Sequence, residues 1–317
     1  MSTGVDGTMS RVNRVAAVDC GTNSIRLLVA DVADGVLHEV VRRSEVVRLG
    51  QDVDRTGRLA PQALARTLEM TRQYAAECTR LGVTKVRFVA TSATRDASNR
   101  DQFVAGVRAA LGVDPQVVSG AEEAELSFTG ATSVLAGPAP YCVVDLGGGS
   151  TEVVVGSSGP QAAWSMDVGS VRITERHLHG DPPTLAETAA ATATIDAAID
   201  DSLTHVDVTG VRTLVGLAGS VTTVTAHALG LEVYDRTVID QAVLSVEQVL
   251  GSCDVLVHAT YAERAALGFM HPGRVDVIGA GALVWSRVVA HVAQVAGLTH
   301  VVTSEHDILD GIALSLA

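Results

Sequence analysis

The fold turns on one stretch, Tyr141-Cys142-Val143-Val144-Asp145-Leu146-Gly147-Gly148-Gly149-Ser150-Thr151-Glu152-Val153-Val154-Val155. An apolar run ends in an aspartate, glycine and hydroxyl residues turn the chain, and a second apolar run returns. Short β-branched runs bounded by turn residues read as two strands joined by a tight turn. The same theme opens the chain. Val15 to Val18 leads into Asp19-Cys20-Gly21-Thr22-Asn23-Ser24, and Ile25 to Val32 follows. Both copies share the preceding strand, the Asp, a Gly after one residue and the returning strand. One strand-turn-strand unit is therefore expected twice, once in each half.

Backbone N–H groups in such a turn form a concave anion site. Glycine there is expected to supply positive φ and to let a phosphate approach the main chain closely. The candidate phosphate binders are Gly21, Thr22, Asn23 and Ser24 from the first turn, and Gly147, Gly148, Gly149, Ser150 and Thr151 from the second. Asp19 and Asp145 cannot face phosphate without a cation or a proton between. They are expected to hold Mg²⁺ or to orient water, since hard cations take oxygen ligands.

Outward from these turns the pattern alternates between strand and helix. Val36 to Leu49 reads as further strand. Pro61 opens a helix that runs to Leu81 and stops at Gly82. Val86 to Thr91 is a strand, Ser98 to Leu111 a helix, Gln116 to Val118 a strand and Ala121 to Ser133 a helix. Pro138 and Pro140 mark a seam. Beyond the second turn come a strand at Ala162 to Met166 and a helix from Ser170. Thr184 and Glu187 form a capping box ahead of an Ala-rich helix. Thr213 to Leu217 is a strand opening into Ala218-Gly219-Ser220. Val275 to Ala290 reads as a helix and Val301 to Thr303 as a strand. A last helix, Ile308 to Leu316, is expected to be capped by Ser304 with Asp307.

The chain has 317 residues, 47% apolar and 19% charged, which suits a globular protein of two domains. Cys20, Cys78, Cys142 and Cys253 form no CxxC pair, so they read as reduced, buried thiols. A net charge of −13 argues against nucleic acid as a partner. Lys85 is the sole lysine and is followed by Val86, so no Gly-Lys-Ser/Thr phosphate loop exists. Met1 to Asn13 is polar and lacks the apolar core of a signal peptide, and no apolar run reaches the ~18 residues of a membrane span. A cytoplasmic protein without membrane association is the expectation.

The two Asp-x-Gly turns resemble the phosphate motifs of the actin/Hsp70/sugar-kinase superfamily. Within it, the chain resembles the exopolyphosphatase/guanosine-pentaphosphate phosphohydrolase family. Three further stretches carry that likeness: Thr91-Ser92-Ala93-Thr94-Arg95-Asp96-Ala97, Ser119-Gly120-Ala121-Glu122-Glu123-Ala124, and Ser304-Glu305-His306-Asp307-Ile308-Leu309-Asp310-Gly311. It spans residues 14 to 317. The resemblance implies an α/β fold of two actin-like, ribonuclease H-like lobes with a cleft between them. The first lobe would be residues 1–125 and the second 126–304, with the helix 305–317 packed back on the first. It further implies hydrolysis of the terminal phosphate of polyphosphate, the 5′-phosphate of pppGpp, or both, with Mg²⁺, and a homodimer as the expected assembly.

By that resemblance Glu123 activates the attacking water, with Glu122 as the other choice. A carboxylate at a rigid helix start can aim a water at a bound phosphate. It can equally serve the helix dipole. Glu125 reads as solvated surface. Arg95 is a substrate-contacting arginine by the same resemblance, and Arg26 and Arg172 are weaker candidates, since a guanidinium forks onto two phosphate oxygens. Glu152 is implied beside Asp145, around Mg²⁺ or the water, unless it caps local backbone. The turn at Gly219 reads first as strand-to-helix structure and second as a phosphate or guanosine contact. His177-x-His179 reads as surface, and His306-Asp307 as helix capping. Two other readings stay open: an ATP-dependent sugar-kinase-like phosphotransferase, and a non-catalytic sensor of guanosine tetra- or pentaphosphate.

Overall fold

The computed structural model describes residues 13–33 and 35–317. The first half runs β1 (Asn13–Cys20), β2 (Ser24–Ala33), β3 (Val36–Val46), α1 (Val53–Thr56), α2 (Pro61–Leu81), β4 (Lys85–Ala90), α3 (Ser92–Asp96), α4 (Arg100–Leu111), β5 (Gln116–Val117) and α5 (Gly120–Thr132). The second half runs β6 (Tyr141–Leu146), β7 (Thr151–Gly156), β8 (Pro160–Met166), α6 (Ser170–His177), α7 (Leu185–His205), β9 (Thr213–Leu217), α8 (Ala218–Ala228), α9 (Arg236–Ile239), β10 (Val243–Ser245), α10 (Val246–His258), α11 (Tyr261–Ala265), a 3-10 turn at Pro272–Arg274, α12 (Ile278–Ala296), β11 (His300–Thr303) and α13 (Ile308–Leu314).

The duplication extends well beyond the hairpins. One sheet has the order β3-β2-β1-β4-β5, and the other β8-β7-β6-β9-β11-β10. In both, the first three strands of the repeat are antiparallel and the next two join in parallel. Strand parity then decides what each face does. Ala16, Val18 and Cys20 of β1 pack with Tyr74 and Phe103 under α2 and α4. Val15 and Ala17 point the other way, toward Ile308, Leu309 and Ile312 of α13. Asp19 shares their parity. In β6, Cys142, Val144 and Leu146 enter the large core beneath α7, α8, α10 and α12. Val143 faces Ala124 and Phe128 of α5, and Asp145 has the parity of Val143. Both aspartates thus end the faces turned toward α5 and α13.

Those two helices change partners. α5 follows the first sheet but packs on β7 and β8, while α13 follows the second sheet and packs on β1 and β2. They cross at glycines. A Cβ on Gly130 would overlap the Asp307 carbonyl oxygen, and one on Gly311 would overlap that of Leu126.

Several local features depart from the sequence reading. Asp307, not Ser304, is the N-cap of α13, with Asp310 completing the box; the Ser304 hydroxyl instead donates to the His306 carbonyl. Arg95 lies in a short helix that the sequence reading did not include. α12 begins after the 3-10 turn and continues to Gly297, whose φ of 67° closes it. It is long and apolar enough to cross a membrane, yet Trp285, Val288 and Val289 are buried in the second core. The strand β10 and the helices α10 and α11 are additional. The expected capping box at Thr184 and Glu187 is present, and all four cysteines are free and buried.

Candidate active site

The two turns close in the same way. Gly21 N–H donates to the Ser24 carbonyl at 2.9 Å, and Gly147 N–H to that of Ser150 at 3.0 Å. Both turns line a single cleft between the lobes, with Asp19, Asp145 and Glu123 on its walls. None of Gly21, Gly147, Gly148 and Gly149 has positive φ, so the expected conformational role is not theirs. Close approach is. A Cβ on Gly149 would stand 2.5 Å from Ser92 Oγ and 2.6 Å from Thr22 Oγ1, which brings the two lobes together at that point. Gly21, Thr22, Asn23, Ser24, Gly147, Gly148, Gly149 and Ser150 all face the cleft. Thr151 does not. It is fully buried, and its hydroxyl donates to the Val168 carbonyl at 2.6 Å.

Cross-strand register sets the charged pairs. Asp19 lies opposite Arg26, and Asp145 lies opposite Glu152. The repeat thus places an arginine in one lobe where the other has a glutamate. Arg26 donates to Asp19 Oδ2 at 2.7 Å and also pairs with Asp307 at the start of α13. Asp145 accepts from Ser127 of α5. Glu152 is 1% exposed and accepts from Ser165 at 2.7 Å. It does not line the cleft itself, but Glu123 and Asp145 are near enough to act on its charge.

Glu123 sits in the first turn of α5, whose N-cap is Ser119. Its carboxylate accepts from Arg95 Nη1 at 2.9 Å, and Arg95 also donates to the Val118 carbonyl at 3.0 Å. Glu122 turns outward to Arg87 at 2.8 Å, and Glu125 is exposed. Of the two adjacent glutamates only Glu123 reaches the cleft. Burial raises the Glu123 carboxyl to about 7, against the pull of Arg95, with Asp145 and Asp19 adding to the rise. Burial and then Asp307 lift Asp145 to about 6. Asp19 is raised by burial despite Arg26, and Glu152 by burial and then by Glu123. This is a set of buried carboxylates short of positive charge.

That shortage bears on the metal. Asp19 Oδ1 is buried without a hydrogen-bond partner and lies in the same cleft as Asp145. Among the described residues no three acidic, His or Cys side chains form a cage. Mg²⁺ uses one or two carboxylates together with substrate phosphates rather than an all-protein cage, so Asp19 and Asp145 fit it. His177 contacts Thr194, in keeping with a surface role for the His177-x-His179 pair.

The three arginines expected to fork onto phosphate are all engaged within the chain. Arg26 and Arg95 are held as above. Arg172 bonds Asp54 and Asp96, each at 2.6 Å, and the Gly149 carbonyl. These are charges from distant segments, which no local pattern reveals. The cation the sequence reading missed is Arg274. It lines the cleft, lies over Gly219 and makes no ion pair among the described residues. It follows His271-Pro272-Gly273, an irregular turn without periodicity. Thr91 and Ser92 also line the cleft; their stretch carried the family likeness, and its hydroxyls were the available signal. Beyond Gly219 the cleft continues into a recess bordered by Arg26, Arg42, Arg43, Tyr234 and Arg274, with Glu305 and Asp307 also on its wall. Ala218 enters α8 with φ 70°, a left-handed conformation that costs a non-glycine residue about 1 kcal/mol or more. It lines both parts of the cleft.

Comparison with known proteins places the chain in a family. A model of the Ppx/GppA phosphatase family matches residues 28–316. Exopolyphosphatase 2 of Mycobacterium tuberculosis is 49% identical over 316 residues, covering 96% of this chain and 99% of the relative. A crystal structure of an exopolyphosphatase-like protein superposes with a TM-score of 0.94 at 49% identity, over 96% of this chain and 98% of the other. The Aquifex aeolicus member of the Ppx/GppA family superposes with a TM-score of 0.81 at 27% identity, over 96% and 97%. With two glycine turns and a buried glutamate on one cleft, and a family match over nearly its whole length, the chain belongs to the Ppx/GppA phosphatase family.

Proposed function

We propose that this protein is an exopolyphosphatase that removes the terminal phosphate of inorganic polyphosphate, with the 5′-phosphate of pppGpp as a second substrate to be compared. The observation that carries the reading is Glu123, a buried carboxylate aimed into the cleft that both turns line. The name of the M. tuberculosis relative supports polyphosphate over the alternatives.

The Gly21 and Gly147 amides close their own turns, and the remaining turn amides and hydroxyls are the groups that would bind the phosphoryl oxygens. Following phosphoryl groups extend past Gly219 toward Arg274, Arg42 and Arg43. Glu123 accepts a proton from a water as its oxygen attacks the terminal phosphorus. The bond from that phosphorus to the bridging oxygen breaks, and the bridging oxygen stays with the shortened chain. A carboxyl raised to about 7 is matched to taking that proton near neutral pH. Arg95 keeps Glu123 turned into the cleft. Asp19 and Asp145 would hold Mg²⁺, which neutralises phosphate charge when bound.

Phosphate release from polyphosphates of graded length and from pppGpp, with Mg²⁺ and with chelator, tests the reading. Release that depends on Mg²⁺ supports it. No release from any of these substrates removes it, and tight binding without release would favour a sensor.

A further inference from the structure

The carbonyls of both glycine turns are held by the segment that follows the third strand of each repeat. After β3, the Gly50 N–H donates to the Thr22 carbonyl at 2.8 Å, and the Val47 and Arg48 N–H groups donate to that of Asn23 at 3.0 and 2.8 Å. After β8, the first turn of α6 does the same. Ser170 N–H donates to the Gly147 carbonyl at 3.0 Å, and the Val171 and Arg172 N–H groups donate to that of Gly148 at 2.9 and 3.1 Å. α6 comes this close because its N-cap is Gly169; a Cβ there would stand 2.5 Å from the Gly148 carbonyl oxygen. The Gly149 carbonyl is held differently. Its partner is a side chain, Arg172 Nε, at 2.6 Å. Where the first lobe uses two main-chain amides on Asn23, the second uses one guanidinium on Gly149. A trans peptide points its C=O and N–H in opposite directions. Fixing these carbonyls therefore fixes the N–H groups of Asn23, Ser24, Gly148, Gly149 and Ser150, all of which line the cleft. Asn23, Gly148, Gly149 and Ser150 lie outside the strands, and their N–H groups meet no main-chain acceptor among the described residues.

We propose that Arg172 is a positioning residue: by holding the Gly149 carbonyl it aims the Ser150 N–H at a phosphoryl oxygen, and Asp54 and Asp96 of the first lobe hold Arg172 in place to do so. The inference rests on the reading of the cleft as a phosphate site. A guanidinium suits the task because its donors diverge. Nε takes the carbonyl, Nη1 takes Asp54 and Nη2 takes Asp96. Those donors are spent within the protein, so Arg172 acts on substrate through the Ser150 amide and not by a fork of its own. Glycine at 149 leaves that peptide free to rotate once the guanidinium is gone. Both carboxylates belong to the other lobe, in α1 and α3, so the second turn is complete only when the lobes are closed on each other.

The test is a double-mutant cycle on Arg172→Gln and Asp96→Asn, read by calorimetric binding of inorganic tripolyphosphate with Mg²⁺ and by phosphate release from the same compound. Arg172→Gln should weaken binding roughly tenfold. Asp96→Asn should weaken it in the same direction, and the double variant should be no worse than Arg172→Gln alone, because both changes break one linkage. An arginine that itself gripped phosphate gives the opposite result: Asp96→Asn frees it and tightens binding, which overturns the proposal. Losses that multiply in the double variant overturn it too. In ¹⁵N-serine-labelled protein, tripolyphosphate should move the Ser150 amide proton downfield in wild type and not in Arg172→Gln; a Ser150 signal unmoved in wild type that binds also overturns it. This signal separates an aimed amide from a general loss of structure, and Asp96→Asn carries the cycle's sign if Arg172→Gln fails to fold. Binding without phosphate release in wild type removes the hydrolase reading alone, whereas no binding by wild type overturns this inference.

Discussion

Arg95 Nη1 donates to Glu123 Oε2 at 2.9 Å, which makes this arginine a partner of the candidate base rather than a fork for phosphate. The guanidinium pulls the Glu123 carboxyl down while burial pushes it up. The wild type should therefore show kcat/KM rising with pH through about 7, as the base form appears. Arg95→Gln removes the favourable charge, so the rise should move to higher pH. An arginine that only bound substrate would raise KM and leave the profile in place.

Arg26 bridges Asp19 and Asp307, joining β1 to the start of α13. Both carboxylates are buried. Removing one partner of such a pair leaves uncompensated charge and costs roughly 3–5 kcal/mol. Arg26→Ala should lose stability on that order in urea denaturation. Arg26→Lys should recover only part of it, because an ammonium cannot fork between two carboxylates.

His306 and Asp310 form a second linkage, at 3.1 Å, beside Arg42. The bond to Asp310 raises the His306 imidazole, against burial. Burial opposes ionisation of Asp310, but His306 and Arg42 hold it well below the usual carboxylate range. A raised histidine stabilises the fold fully below its unfolded value of about 6.5, and that contribution is lost as pH rises through the folded value. The Tm advantage of wild type over His306→Gln should be largest near pH ~5.5 and shrink above neutrality. A constant difference across that range would contradict the linkage.

The crossing of α5 and α13 at Gly130 and Gly311 leaves no room for a methyl group, since main-chain oxygens occupy the space. Backbone cannot rotate away as a side chain can. Gly130→Ala should cost about 1–3 kcal/mol or more, read as a lowered urea midpoint. It should also reduce activity, because the helix that yields carries Glu123 or displaces Asp307.

The duplicated hairpin, the parity of its strands and the cleft-facing turns were legible because they rest on local pattern. Asp-x-Gly at the end of an apolar run determines where each carboxylate points. The partners of Arg26, Arg95 and Arg172 were not legible, because Asp307, Glu123 and Asp96 are brought to them by the packing of separate segments. Arg274 escaped notice for a related reason: it stands in an irregular turn, and tertiary packing lays it over Gly219 at the cleft. α10 could have been found, since Ser245 and Gln248 form a capping box ahead of an apolar run. The register of Glu152 opposite Asp145 follows from the hairpin, whereas its burial beside Glu123 depends on the packing of α5, which no local pattern gives.

The central claim is that Glu123 takes the proton from the attacking water. Single-turnover cleavage of end-labelled polyphosphate by Glu123→Gln, with binding measured on the same protein, tests it most directly. The account predicts affinity within a few-fold of wild type and cleavage slowed by about 10²–10⁴-fold. Cleavage at the wild-type rate would contradict it.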